Sequence, residues 1–182
     1  MSAGAETVVK TGGHPRYTPD APPIHRRIAA IVMLAVLTGC VAEPAPDVLI
    51  GLRNPTVAFG GTSRFDRDRF AGAWQTVACL GSCTRSEEYR AASGGVYLRR
   101  TREAETAYEI SAPGVLREMG GEDTLVVMWV DEGFRTAAIG DAEGRWAAIL
   151  NRSRKPAGDR IRAATEILDF NGWDVSKLRV VK

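Results

Sequence analysis

Residues 124–152 read TLVVMWV-DEG-FRTAAI-GDAEG-RWAAIL-NR. Three apolar, β-branched or aromatic runs, at 125–130, 134–139 and 145–150, are separated by Asp131-Glu132-Gly133 and by Gly140-Asp141-Ala142-Glu143-Gly144. That spacing predicts a β-meander. Each run is too short for a globular helix, and each break sets Gly beside acidic residues, a composition that tolerates the positive φ of hairpin connections. The first run is apolar at nearly every position, so both of its faces should be covered. A strand with an interior on one side and a helix on the other is a barrel strand.

Downstream, Pro156-Ala157-Gly158-Asp159 offers helix-start chemistry with Asp159 as the N-cap. Ile161, Ala164 and Leu168, with Ile167 beside them, form one apolar stripe at helical spacing, and Gly172 suits the C-terminal cap. This helix should pack on the barrel wall, with a ninth strand at 178–181. Upstream, strand-like pieces at 87–92, 95–102, 106–111 and 114–119 are divided by Ser93-Gly94, Ala112-Pro113 and Gly120-Gly121. With 71–79 and the three later runs they make eight. The expected fold is therefore mainly β: an eight-stranded antiparallel up-and-down β-barrel with a C-terminal α-helix packed on it. Eight strands enclose an interior able to hold one small ligand, and the short middle strands predict a shallow cup.

The chain has 182 residues, 45% hydrophobic and 25% charged, enough for one core of ordinary size. Its formal charge of +2 misleads, because Lys10, Arg16, Arg26, Arg27, Glu6 and Asp20 precede a processing signal. From Val41 onward 20 basic side chains face 20 acidic ones. A balanced surface argues against a nucleic-acid partner, which needs a field of one sign. Both histidines, His14 and His25, lie in the same leader. The mature chain would then lack Ser-His-Asp and Cys-His pairs, histidine bases and the commonest metal ligand. Gly-x-Ser-x-Gly, Cys-x-x-Cys and phosphate-cradling glycine loops are absent from the sequence as well.

Arg26-Arg27 precedes the uncharged run at 28–36, which has the polarity of an export signal but is short of the roughly 20 residues a membrane-spanning helix needs. Leu37-Thr38-Gly39-Cys40 resembles a bacterial lipobox, in which the cysteine is lipidated and becomes the new N-terminus. Val41, in place of aspartate, favours the outer membrane, with the domain facing the periplasm. The resulting organisation is an N-terminal extension and lipoprotein signal peptide at 1–40, a tether at 41–64 that should lie against the domain, and a folded domain at 65–182.

Four segments of that domain resemble the lipocalin family. Residues 65–78, with Gly72-Ala73-Trp74, resemble its first signature, a helical turn feeding a Gly-x-Trp strand. Residues 130–137, led by Asp131 and Phe134, are similar to the second. Ile149-Leu150-Asn151-Arg152 is similar to the third, and Asn171-Gly172-Trp173-Asp174-Val175-Ser176-Lys177 to the segment after the helix in bacterial outer-membrane members. Phe134 and Gln75 stand where the family has tyrosines, and residues 86–121 match no family motif. The resemblance implies that Gly72, Trp74, Asp131 and Arg152 are fold residues, the Arg152 guanidinium lying across Trp74 at the closed end. It also implies a binding protein for a small hydrophobic ligand such as palmitate, another fatty acid or a lysophospholipid.

Tyr97, Tyr108, Trp129, Phe134 and Trp146 are the large aromatics on the expected strands and the candidate ligand contacts. If Trp129 points in, so do Leu125 and Val127; otherwise Val126 and Met128 line the interior. Small residues at Ala137, Ala138, Ala147 and Ala148 favour a cavity wherever they face in. Once Cys40 is lipidated, Cys79 and Cys83 are left as an even number in an oxidising compartment, which favours a small-loop disulfide over free thiols. Neither a metal nor a cofactor is expected. Glu87-Glu88 and Asp131-Glu132 are weak acid and base candidates, since strand neighbours point to opposite faces and turn carboxylates are normally solvated. The expected protein is thus a lipid-anchored envelope binder and not an enzyme. The alternative is a barrel with a fully packed core that acts as an interaction module on a protein partner.

Overall fold

The computed structural model describes residues 51–181. The leader, the lipidation site Cys40 and the first part of the tether lie outside the described residues. The elements are α1 (Arg67–Phe70), β1 (Gly72–Leu80), β2 (Ser86–Ala91), β3 (Val96–Arg100), β4 (Glu105–Ala112), β5 (Val115–Glu118), β6 (Thr124–Val130), β7 (Thr136–Asp141), β8 (Ala147–Asn151), α2 (Gly158–Phe170) and β9 (Arg179–Val180). Each strand from β2 to β8 pairs antiparallel with the next; β8 pairs with β1, and β1 with β2. The sheet therefore closes on itself as an eight-stranded barrel with one helix outside.

Closure between β1 and β2 spans only Gly72 to Gln75. Beyond it, Ala78 and Cys79 pair with Val180 and Arg179, so β9 takes over where β2 leaves off. The 51–64 segment lies against the domain as expected. Arg53 forms a β-bridge with Trp173, the Asn54 amide donates to Gly172 O at 2.7 Å, and the Thr62 amide donates to Val127 O at 2.8 Å.

Apolar side chains separate into two layers. Inside the barrel are Phe70, Trp74, Tyr89, Tyr97, Tyr108, Leu116, Leu125, Val127, Ile139 and Leu150. Outside, Val126, Met128, Ala138, Ala147 and Ile149 meet Ala164 and Leu168 of α2 together with Trp173. The two-faced burial of β6 follows: Leu125 and Val127 point in, Val126 and Met128 out. A β-bulge between Val127 and Trp129 then shifts the alternation by one residue, so Trp129 joins Met128 outside and Val130 returns to the interior. Strict period two, which tied Trp129 to Leu125 and Val127, fails at that bulge. A second bulge, between Thr76 and Ala78, turns both Val77 and Ala78 outward in β1.

Of the four small residues expected to open a cavity, Ala137 and Ala148 face in, while Ala138 and Ala147 face the helix. Their size there serves close helix approach. Gly140 acts alike, since a Cβ at that position would stand 2.6 Å from Trp173.

Most strand ends shift by one or two residues from the sequence expectation, and β8 begins at Ala147, so Trp146 stands in the preceding turn and not on a strand. The N-cap of α2 is Ala157, with no side-chain cap, and Asp159 sits in the first turn, where its charge complements the helix dipole. Phe134 is not in a strand: it has φ 53 in the turn, and β7 begins at Thr136. At the other end of α2, Gly172 (φ 84) donates to Asp169 O and Trp173 to Leu168 O, a Schellman cap that folds Trp173 back onto Leu168.

Candidate functional site at the barrel mouth

The two ends of the barrel are chemically distinct. One carries α1, the 131–135 turn and Arg152, whose Cζ lies 3.8 Å from the Trp74 ring centroid. That guanidinium also donates to the carbonyls of Phe134, Ala73, Arg69 and Phe70 at 2.9–3.2 Å, and Trp74 Nε1 donates to Phe70 O at 2.8 Å. Gly72 (φ 97) is needed here, because a Cβ would come within 3.2 Å of Arg152. Asp131 holds the adjacent turn by accepting from the amides of Arg135 and Thr136, both at 2.6 Å. Far from being solvated, Asp131 is buried. Burial acts to raise its carboxyl, but the amides of Thr136 and Arg135 outweigh burial and hold it below the ordinary range. This end is sealed.

Above that floor the interior is filled. Phe70 packs on Trp74 with centroids 4.8 Å apart and on Tyr89 at 5.0 Å, and Tyr89 stacks on Tyr97 at 5.8 Å. The Tyr97 hydroxyl donates downward to Arg67 O at 2.9 Å, and Tyr108 is paired beside Tyr97 across the β3–β4 ladder.

At the opposite end the loops 81–85, 101–104, 119–123 and 142–146 surround the mouth. Between the first two and Trp146 lies a cleft of about 200 Å³ whose walls include Thr76, Cys83, Thr84, Glu87, Arg99 and Trp146. Cys79 and Cys83 are joined by a disulfide, Cα atoms 6.0 Å apart, which pins the first loop against this wall. At the base of the cleft Arg99 Nε donates to Glu87 Oε2 at 2.6 Å, and Nη2 forms an ion pair with the same oxygen at 2.5 Å. The Glu87 side chain is 1% exposed and that of Arg99 15%. Burial raises the Glu87 carboxyl above its ordinary value despite the pull of Arg99. Burial opposes the Arg99 charge in turn, but the anionic side of the pair prevails and the guanidinium stays cationic. On its free side Arg99 lies 5.3 Å from the Trp146 ring centroid.

Of the five aromatics singled out by sequence, Trp146 alone borders this cleft. Tyr97 and Tyr108 fill the interior below it. Trp129 faces out of the barrel, and Phe134 is sealed at the closed end under the Arg69 guanidinium, 4.1 Å away. Trp129 and Phe134 are therefore packing residues. Sequence reasoning passed over Arg99 and discounted Glu87, although the signal was there: Arg99 is two residues from Tyr97, and Glu87 two from Tyr89, so each shares the inward face of its strand. Among the described residues no group of three or more His, Cys, Asp or Glu side chains is placed to hold a metal ion. No protein-family model matches the sequence, and no curated protein matches it.

Proposed function

We propose that this chain is a lipid-anchored envelope barrel of lipocalin type, tethered through Cys40 at the periplasmic face of the outer membrane, that binds a small amphipathic ligand and catalyses no reaction. The polar end of the ligand enters the mouth cleft, where Arg99 meets it and Trp146 supplies a flat apolar wall. One observation carries this: the Glu87–Arg99 ion pair and the half-buried ring of Trp146 share a cleft at the open end of a closed barrel. Ligand sites commonly combine an apolar wall with a few convergent polar groups.

The cleft, at about 200 Å³, is smaller than the roughly 300–1,000 Å³ of typical small-molecule pockets. The interior that would receive an acyl chain is occupied by Tyr89, Tyr97 and Tyr108. A head-first ligand whose tail stays near the mouth fits better than a fully engulfed fatty acid.

Titration with fatty acids and lysophospholipids of eight to sixteen carbons tests this. Stoichiometric uptake is expected by native mass spectrometry, with a tryptophan fluorescence change that Trp146→Phe abolishes and an affinity nearly independent of tail length. Failure of every chain length to bind would instead support the packed-core interaction module, which the filled interior favours.

A further inference from the structure

We propose that the mouth cleft takes an anionic headgroup, carboxylate or phosphodiester, by proton-coupled exchange. The ligand anion displaces Glu87 from Arg99, and Glu87 takes up one proton from solvent. This rests on the mouth cleft being the ligand site. Its basis is a count of charges and donors. Among the described residues lining the cleft Arg99 is the one cation, whereas Glu87 and Glu103 are both acids. Of the hydroxyls in the cleft wall the three threonines are committed within the protein, Thr76 donating to Thr84 O at 2.6 Å, Thr84 to Ser86 O at 3.1 Å and Thr101 to Ala104 O at 3.4 Å, so Ser82 is the neutral hydroxyl left beside Arg99 to meet a headgroup. Arg99 carries five N–H donors; Nε donates to Glu87 Oε2, Nη2 is ion-paired with the same oxygen and the Tyr108 hydroxyl is a further partner, which leaves donors for an acceptor headgroup.

An anion reaching Arg99 beside ionised Glu87 would set two negative charges against one positive charge, and carboxylates sharing a site do not both stay ionised. Glu87 is the group that yields, because its side chain is almost sealed from water while the incoming anion keeps one side toward the mouth. Burial already lifts its carboxyl toward the neutral form.

The groups facing Glu87 allow this. Arg99 comes from β3, Tyr89 from its own strand, Tyr108 from β4 and Glu103 from the 101–104 loop, while Trp74 and Thr76 of β1 and Phe70 of α1 do not titrate. On the outer side Arg100 is paired with Glu88 at 2.8 Å, and Arg102 borders a neighbouring depression. One anion and one proton enter together, so the net charge of the site is unchanged and the only covalent change is the new O–H bond on Glu87.

Calorimetric titration of the full chain with octanoate and with octyl methyl phosphate, each singly charged between pH 6 and 8, tests this. Buffers of different ionisation enthalpy report the proton count. The expected result is close to one proton taken up per ligand at pH 7.5, with affinity falling about tenfold per pH unit toward pH 8. Glu87→Gln should bind the same anion with no proton uptake and no pH dependence, and Arg99→Gln should lose it. Preference between the two probes identifies the headgroup. Anion binding without proton uptake, or octanol binding as tightly as octanoate, overturns the exchange while leaving the mouth cleft as the site. Loss of binding by octanoate, octyl methyl phosphate, octanol and lysophosphatidylcholine alike overturns both. The wild-type proton count decides the matter even if either variant fails to fold.

Discussion

Glu87 and Asp131 both have side chains with little solvent access, 1% and 8% exposed, but Glu87 lies far deeper in the protein, and their carboxyls shift in opposite directions. Burial is the largest influence on both. Near the surface, Asp131 overcomes it with the amides of Thr136 and Arg135 and the Arg135 side chain, whereas the deeper Glu87 has a single cationic partner that is itself largely buried. The consequences for stability have opposite sign. Because the Asp131 value is depressed, its contribution is present above the ordinary aspartate value of about 4 and is lost as pH falls through the native value. The Glu87 value is raised, so its contribution is present below the ordinary glutamate value and is lost as pH rises through the native one. Urea midpoints between pH 2.5 and 7.5 should therefore show a shallower acid decline in Asp131→Asn. In Glu87→Gln they should show no loss of stability on raising pH from 4.5 into the range where wild type declines. Identical profiles for both variants and wild type would contradict the assignment.

Element by element, strand number, order and the helix were legible from alternation and turn chemistry, because Gly-acid breaks and period-two runs are local properties of the chain. What the sequence concealed is also local but carries no residue signature. The bulges at Val127/Trp129 and Thr76/Ala78 insert one residue where the cylinder must curve, and neither site has a glycine to announce it. Hence the facing of Trp129 was out of reach, as was the departure of Phe134 from β7. The cap at the end of α2 was readable, and its energetics can be tested. Gly172→Ala places a Cβ 2.9 Å from Val57 at a φ of 84, combining left-handed strain with a clash. A loss of about 1–3 kcal/mol is expected. Leu168→Ala, at a fully buried position under the same cap, should cost about 2–5 kcal/mol, whereas Phe170→Ser, 80% exposed one turn end away, should change stability by less than about 0.5 kcal/mol. Equal losses at Leu168 and Phe170 would mean that α2 docks by a different face.

Across the whole molecule, the number of strands limits the interior and the side chains decide how much of it is left. An eight-stranded barrel encloses just enough room to be filled or to hold one ligand, and here Phe70, Trp74, Tyr89 and Tyr97 occupy the lower part. Tyr108 is the core aromatic that links the two regions: it stands beside Tyr97 across the β3–β4 ladder, is buried in the interior, and its hydroxyl is a hydrogen-bond partner of Arg99 at the base of the mouth cleft. Tyr108→Ala should join the two spaces. Stability should fall by about 3–5 kcal/mol, as for other buried aromatic truncations. Binding should change in kind: wild type should hold octanoate and dodecanoate about equally, while the variant gains roughly fourfold for each methylene that enters, at about 0.8 kcal/mol per buried CH₂. A chain-length dependence already steep in wild type would mean that the tyrosines move aside for the ligand and that the barrel is a full carrier. A flat dependence in both would mean that the tail never enters, leaving the mouth as the whole of the site.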